Sequence, residues 1–381
     1  MTVKKPLSLN AIATLLISWA TVICFLIFGS DWLTGLSLNL TTGLLFLWLF
    51  SVIMYTAFGV VHEAEDVAEL LGEPLGTLVL TLSIVIIEVA LVSAVMLGAK
   101  EAPTLGRDTM FAVLMIVLNG VVGLGLLIGG IRHKEQSYNL QGAAAYLAVL
   151  IPLTSIALIL PNFTKSTDNG TLSPLQATAF SIFTIALYAI FILIQTGRHR
   201  GFFIHPDEAK KLKEDKKNKV KSVKKKPRPD MATVLKHLAL LLLNILPIVL
   251  LSKNLAKILD FGISALELPP ALGGIIIAAI VFTPEGISAL RAVIRDDLQR
   301  ALNLCLGAAT STVGLTVPAV LAISLFTGQT VILGLAPTEM TLLAVTLLLC
   351  TLTFSNLRTT LLEGAVHLVM FFVYIVLVFS P

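Results

Sequence analysis

The sequence predicts an all-α membrane protein with about eleven transmembrane helices, arranged as one N-terminal helix and two inverted five-helix repeats. Composition is the first reason: of 381 residues, 56% are hydrophobic and 13% are charged, whereas soluble domains carry about 25% charged residues. The second reason is a series of apolar runs of about 20 residues, the length that crosses a bilayer. The third is a likeness between two of these runs, which predicts the repeat.

Eleven apolar segments meet the length criterion for a span. Their predicted bounds are 9–28, 38–61, 75–97, 109–131, 142–160, 175–196, 233–252, 269–291, 301–326, 336–354 and 359–379. The first segment is expected to be a span, because its apolar run is too long for a signal peptide and no small-residue cleavage site follows it. The cysteines lie in apolar segments without metal-type or disulfide-type spacing, so they are predicted to be core residues.

One hydrophilic segment divides the spans into two sets. The predicted parts are an N-terminal transmembrane helix (1–35), a first five-helix repeat (36–196), a basic linker (197–232) and a second five-helix repeat (233–381). The linker holds thirteen Lys and Arg residues against five acidic residues. Two interpretations stay open: a solvated tether, or a regulatory segment that binds anionic lipids.

The distribution of Lys and Arg predicts the orientation, because positive residues accumulate in cytoplasmic loops. With a cytoplasmic N-terminus, the basic linker and most of the remaining Lys and Arg fall inside, and the C-terminus falls outside. The loop 62–73 is acidic, but acidic residues count little in this rule. The chain is therefore expected to cross a cell membrane (inner or plasma) many times, with the linker in the cytoplasm.

The third predicted span carries an acid in the middle of an apolar run. It reads LGTLVLTLSIVIIEVALVSAVML, and its charged residue is Glu88. The eighth span, PPALGGIIIAAIVFTPEGISALRAV, carries Glu285 in the corresponding place, and in both a Leu-Gly pair ends twelve residues before the acid. A carboxylate at membrane depth costs at least about 3 kcal/mol, so such residues normally face a protein interior and serve a function.

The similarity continues into the helix that follows each acid. Asn119 lies 31 residues after Glu88, and Ser311, next to Thr310, lies 26 residues after Glu285. An odd number of spans separates equivalent positions, so the two copies enter the membrane from opposite sides. Similar sequence in opposite directions is typical of an inverted-topology repeat, which places a substrate site near the midplane.

Helix-breaking residues surround both acids. Gly72, Pro74 and Gly76 precede Glu88, and Pro284 directly precedes Glu285. A proline frees a carbonyl of the preceding turn, and such carbonyls are tolerated at membrane depth where they line a cavity. They are suitable oxygen ligands for a cation.

Two carboxylates that meet in a low dielectric cannot both ionise cheaply, and either a hard cation or protons can cancel their charges. A site that holds one or the other exchanges them. Neutral oxygens for such a cation are expected from five further residues: Thr283, Ser83, Asn119, Thr310 and Ser311. The alternative for each hydroxyl is a hydrogen bond to its own helix backbone.

Three further polar residues are candidates for a proton route or for gating. Glu363 and His367 stand four apart in the last span, where they can share one helix face. Glu63 belongs to the acidic stretch after span two, which is expected either to attract cations at the cytoplasmic mouth or to be a solvated helix end.

Motifs for hydrolases, phosphate loops and dinucleotide folds are missing from the sequence. The sequence therefore predicts a transporter that is not an enzyme and needs no cofactor, with inorganic cations and protons as cargo and membrane lipids as surroundings. No nucleic-acid partner is expected, and the oligomeric state stays open.

The chain resembles the calcium/proton exchangers of the cation/calcium antiporter superfamily, and most of all their bacterial calcium/proton and sodium-potassium/proton branch. The resemblance rests on His62–Leu97, on Ala271–Pro318 with its TPEG motif, and on the C-terminal run SNLRTTLLEGAVHLVMFFVYIVLVFSP. It implies an N-terminal helix followed by two inverted five-helix repeats, with the functional acids at Glu88 and Glu285. It also implies polar positions at Asn119, Thr310 and Ser311.

One feature departs from the family. The family places a Gly-Asn pair just before each acid, but here those positions read Ile84-Val85 and Val281-Phe282. The cation is therefore open between Ca²⁺, which is the leading hypothesis, and Na⁺ or K⁺. Three alternatives to proton-coupled exchange are a sodium/calcium exchanger, a cation channel and an intramembrane enzyme that uses two acids.

Overall fold

The structure is a computed structural model that describes residues 9–71, 75–98, 103–206 and 231–380. Several features of the sequence lie outside these ranges, including Gly72 and Pro74 before the third span and most of the basic linker, 207–230.

The described chain is almost entirely helical. Its α-helices are α1 (Leu9–Trp32), α2 (Leu40–Leu71), α3 (Leu75–Gly98), α4 (Leu105–Met115), α5 (Val122–His133), α6 (Leu140–Thr154), α7 (Pro174–Thr196), α8 (Met231–Ala265), α9 (Ala271–Ile294), α10 (Leu298–Ser311), α11 (Val317–Thr327), α12 (Pro337–Thr353) and α13 (Leu361–Phe379). Among the described residues, the strands form one short antiparallel pair, β1 (Gln136–Ser137) with β2 (Arg358–Thr359).

π-Helical turns merge some of these helices into longer runs. Ile116–Val121 joins α4 to α5, Thr312–Thr316 joins α10 to α11, and Ser155–Ile159 extends α6. The resulting eleven helical runs follow the predicted spans in order. Nine described helices are long and apolar enough to cross a membrane, and α3 and α12 supply the other two predicted spans. The predicted all-α, multi-pass membrane fold is confirmed.

Two helices extend beyond their predicted ends. The second span was expected to end near residue 61, but α2 continues to Leu71; α8 continues to Ala265, past the predicted residue 252. The acidic stretch that the sequence assigns to a loop is thus helical as far as Leu71. Its residues are mostly good helix formers, and it buries one face, with Ala64 and Val67 both fully buried. Packing of this amphipathic turn stabilises the extension.

The chain divides into two compact units. The first contains residues 1–102 and 229–281, and the second contains 103–228 and 282–381. The division falls within α9, between Val281 and Phe282. Each unit combines segments from both halves of the sequence, so this division differs from the predicted repeats 36–196 and 233–381, which stay a prediction.

In the first unit, α2 packs along α8 and α3, and α1 also contacts α8. The indole nitrogen of Trp19 donates to the Leu243 carbonyl at 3.1 Å, which ties α1 to α8. At Gly59 on α2 an added Cβ would lie 2.7 Å from the Thr14 side chain, so the absence of a side chain lets α1 approach closely.

In the second unit, glycines bring α5 and α13 into backbone contact. A Cβ on Gly364 of α13 would lie 2.8 Å from the carbonyl oxygen of Gly123, and a Cβ on Gly130 of α5 would lie 2.7 Å from the Leu361 nitrogen. Small residues at such crossings are a common means of packing membrane helices. This contact fixes the position of His367, because a Cβ on Gly123 would lie 2.9 Å from the His367 Cβ.

Replacing Gly364 by alanine is therefore expected to force α5 and α13 apart, at a cost of about 1–3 kcal/mol for overpacking. The measurement is thermal unfolding of the purified chain in detergent, followed by tryptophan fluorescence. Gly262→Ala is the matched control, because an added Cβ there meets nothing within 4 Å. Equal unfolding temperatures for the two variants would contradict the close-packing account.

Candidate functional site

Glu88 lies on α3 in the first unit, and it is 3% exposed. Ser83, one and a half turns earlier, is also buried, and its hydroxyl donates to the Val79 carbonyl at 2.6 Å. The Ser83 hydroxyl therefore forms a hydrogen bond with its own helix backbone, which was the alternative expected for such hydroxyls. The oxygen keeps its lone pairs, and these are the groups that a cation uses.

Glu285 lies on α9 in the second unit, and it is 6% exposed. Pro284 is inside the helix, which continues through it. Because proline has no N–H, residue 284 donates no hydrogen bond to the carbonyl of Ile280, four residues earlier. Thr283, the other predicted oxygen donor on this helix, is half-buried.

The two acids are thus buried, but they belong to different compact units. Their predicted juxtaposition is a relation between the units and stays a prediction. The burial itself agrees with the high cost of a charge in lipid, which favours a carboxylate that faces protein.

The polar residues of the fourth and ninth spans lie at π-helical turns. Asn119 is inside the turn Ile116–Val121, and Thr310 and Ser311 lie immediately before the turn Thr312–Thr316. π-Turns inside α-helices occur frequently at functional sites. Both π-turns are in the second unit. They lie at or next to Asn119 and Ser311, the positions that correspond in the two predicted repeats. The hydroxyls of Thr310 and Ser311 donate to Leu306 and Ala308 carbonyls, at 2.7 and 3.0 Å.

Asn119 is fully buried at the centre of a hydrogen-bond chain. Its Nδ2 donates to Thr346 Oγ1 at 2.8 Å, and its Oδ1 lies 3.1 Å from Nδ1 of His367. The second ring nitrogen of His367, Nε2, lies 3.0 Å from Thr353 Oγ1. The chain links the fourth, tenth and eleventh spans within the second unit.

The direction of these bonds follows from the sulfur of Met115, which lies 3.6 Å from Asn119 Nδ2. A thioether only accepts hydrogen bonds, so the amide NH₂ faces Met115 and Thr346, and the amide oxygen faces His367. His367 then donates a hydrogen bond from Nδ1 to the Asn119 oxygen. In a neutral ring, Nε2 accepts a hydrogen bond from the Thr353 hydroxyl.

The sequence predicted Asn119 and His367 separately, and the structure brings them together. The sequence did not predict that Thr346 and Thr353 belong to this hydrogen-bond chain, because threonines are common in apolar helices and neither has a distinguishing spacing. Glu363 is not in this chain of hydrogen bonds. Its Oε2 accepts from the Thr360 backbone at 2.9 Å in a capping box at the start of α13.

Glu63 is the buried acid of the stretch after span two, with its side chain 4% exposed. Its Oε2 lies 2.7 Å from Nδ1 of His237 on α8. The expected role of the acidic stretch at a cytoplasmic mouth stays a prediction. His237 received no role from the sequence. One feature of the sequence could have indicated the pairing of His237 with Glu63. His237 lies at the start of span seven, and the predicted topology places that end on the same side of the membrane as Glu63.

Comparisons with known proteins agree with the fold. The family described as sodium/calcium exchanger protein matches residues 41–197 and 236–380. The protein y4hA of Sinorhizobium fredii is 40% identical over 325 residues, 85% of each chain. The sodium-potassium/proton antiporter ChaA of Escherichia coli is 36% identical over 328 residues, 86% of this chain and 87% of its own.

A solved structure of native YfkE, a Ca²⁺/H⁺ antiporter, superposes with a TM-score of 0.68 and 16% identity, covering 97% of this chain and all of its own. At that identity the likeness establishes the fold alone. The family match covers most of the sequence, including Glu88, Glu285 and most of each of the ten spans after the first. The chain therefore belongs to the sodium/calcium exchanger protein family.

Proposed function

We propose that this chain exchanges cations for protons across a cell membrane, with Ca²⁺ as the leading cargo and Na⁺ and K⁺ as further cargo. The observation that carries the proposal is a pair of buried glutamates, Glu88 and Glu285, at matching places on helices of opposite predicted direction. The relative ChaA, named a sodium-potassium/proton antiporter, supports the proton coupling.

The mechanism follows from charge neutrality. If the two repeats bring Glu88 and Glu285 together, their charges must be cancelled in each state of the transport cycle, because uncompensated ions in a low dielectric are strongly destabilised. A cation enters as protons leave, and protons enter as the cation leaves. Coupling is then a property of the site and needs no catalytic step, so the proposed transporter is not an enzyme and uses no cofactor.

Oxygen donors around each acid decide which cation is held. Ca²⁺ takes six to eight oxygens, which two carboxylates supply only with help from hydroxyls, carbonyls and water. The lone pairs of Ser83, Thr283, Thr310 and Ser311 and the Ile280 carbonyl are the proposed contributors. Asn119, whose amide hydrogen-bonds both Thr346 and His367, is proposed to hold the shape of the π-turn as well as to offer an oxygen.

The proposed orientation keeps the N-terminus and the linker 197–232 in the cytoplasm and the C-terminus outside, in a cell membrane (inner or plasma). It is supported by the excess of Lys and Arg on the inner side. Partners in this proposal are the transported inorganic cations, protons and membrane lipids, and no nucleic acid.

Glu88→Gln and Glu285→Gln are each expected to abolish cation-dependent proton flux, because a neutral amide cannot alternate between a cation and a proton. The measurement is the fluorescence of a pH-sensitive dye in everted membrane vesicles. Glu135→Gln, which removes one partner of an exposed ion pair with Arg358, is the control and is expected to transport normally. Wild-type exchange in both glutamate variants would sink the proposal.

The identity of the cargo is tested by adding Ca²⁺, Na⁺ and K⁺ separately to the same vesicles across a range of pH. We expect Ca²⁺ to dissipate the pH gradient. Dissipation by the monovalent ions alone would show that calcium is not the cargo. Calcium uptake that persists after an ionophore collapses the pH gradient, and that requires Na⁺, would indicate a sodium/calcium exchanger.

His367 is proposed to conduct protons, and Glu63 and Glu363 are the other proposed route or gating residues. His367→Gln preserves hydrogen-bonding capacity toward Asn119 but cannot carry a proton at neutral pH. We expect it to slow exchange about tenfold, a modest loss for removal of a proton-transfer group, with an unfolding temperature close to that of the wild type. His133→Gln, at the exposed end of α5, is the control. An unchanged rate would show that His367 only positions Asn119.

A further inference from the structure

A second group of cation-binding side chains lies in the first unit, on helices that do not carry Glu88. One oxygen of Glu63, one oxygen of Asp66 and one ring nitrogen of His237 all lie within 4.8 Å of one another. Glu63 and Asp66 are three residues apart on α2, which places them on one helix face, and His237 comes from α8, 174 residues away.

The members of this group differ in exposure. Glu63 is 4% exposed and His237 21% exposed as side chains, whereas Asp66 is 41% exposed. The buried pair is already fixed by its 2.7 Å hydrogen bond, and Asp66 provides an open side through which an ion and water can enter. The side chain of His62 is 60% exposed, and its Nε2 lies 4.0 Å from Oδ2 of Asp66.

The ligand atoms match one class of ion. Zn²⁺ and similar divalent transition metals bind imidazole nitrogen and carboxylate oxygen at about 2.1 Å, which sets tetrahedral ligand atoms about 3.4 Å apart. The three ligand atoms lie within 4.8 Å of one another, and a bound ion would draw them closer together. Two carboxylates balance the charge of a divalent ion, and water completes the shell. Ca²⁺ and Mg²⁺ prefer oxygen alone, so the imidazole disfavours them.

We propose that Glu63, Asp66 and His237 form a binding site for a divalent transition-metal ion, with Zn²⁺ as the reference ligand, separate from the transported cation. A metal at this position takes the place of the hydrogen bond between Glu63 and His237 and cross-links α2 to α8. Glu88 and Glu285 are not part of this site, so its existence does not depend on the proposed antiport, although Glu63 also belongs to the proposed proton route.

The test uses the purified full-length chain in detergent, without a histidine tag, titrated with Zn²⁺ by calorimetry and with Co²⁺ by visible absorption. One ion per chain is expected. Glu63→Gln, Asp66→Asn and His237→Gln should each weaken Zn²⁺ binding at least about tenfold, as loss of a ligand costs no less than loss of a supporting hydrogen bond. His237→Gln should also change the Co²⁺ spectrum, because a nitrogen ligand is lost.

Two controls separate this site from others. Glu69→Gln removes an exposed acid from the same end of α2 and should leave the affinity unchanged. The double variant Glu88→Gln/Glu285→Gln should still bind one Zn²⁺, and Ca²⁺ in excess should not displace it.

Thermal unfolding confirms that each variant is folded. The Glu63→Gln change is mild in this respect, because the amide that it introduces still offers an acceptor and a donor to His237. Unchanged binding in Glu63→Gln and His237→Gln, or loss of Zn²⁺ in the double variant, would overturn the proposal.

Discussion

The structure depends on one constraint: a polar or charged side chain inside a membrane protein must be satisfied by other protein groups, because the surrounding lipid offers none. Each described polar cluster is a solution to this constraint. Hydroxyls such as Ser83 and Thr310 donate to the turn below them. Asn119 and His367 satisfy each other across two helices. Glu63 faces His237.

The polar cluster of the second unit also depends on backbone packing. The His367 ring reaches Asn119 because α13 lies against α5 without side chains between Gly364 and Gly123. The π-turn at Ile116–Val121 then inserts an extra residue, which changes the face that α4 presents relative to α5. The hydrogen bond between Asn119 and His367 therefore depends both on the close packing of α5 against α13 and on the π-turn that holds Asn119.

The sequence allowed much of this to be predicted. Spans follow from apolar length, and the buried acids follow from the cost of charge in lipid, so both were accessible without coordinates. The partners of polar residues were not. His237 lies 174 residues from Glu63, and nothing in a local pattern specifies such a pairing. Thr346 and Thr353 have the ordinary appearance of threonines in apolar helices. The extension of α2 to Leu71 does not follow from apolar length, because the stretch is charged, but its residues are helix formers.

The lengths of α2 and α8 have a consequence for the surrounding lipid. With 32 and 35 residues at 1.5 Å each, they measure about 48 and 53 Å, against a hydrocarbon layer of about 30 Å. A tilt of about 20° absorbs only a small part of the excess, so both helices extend into the headgroup region. The turns beyond the apolar runs are polar on both helices, and they include those that hold Glu63 and His237. Headgroups and water, not acyl chains, are therefore the expected surroundings of this pair, and headgroup charge acts on it more directly than bilayer thickness does.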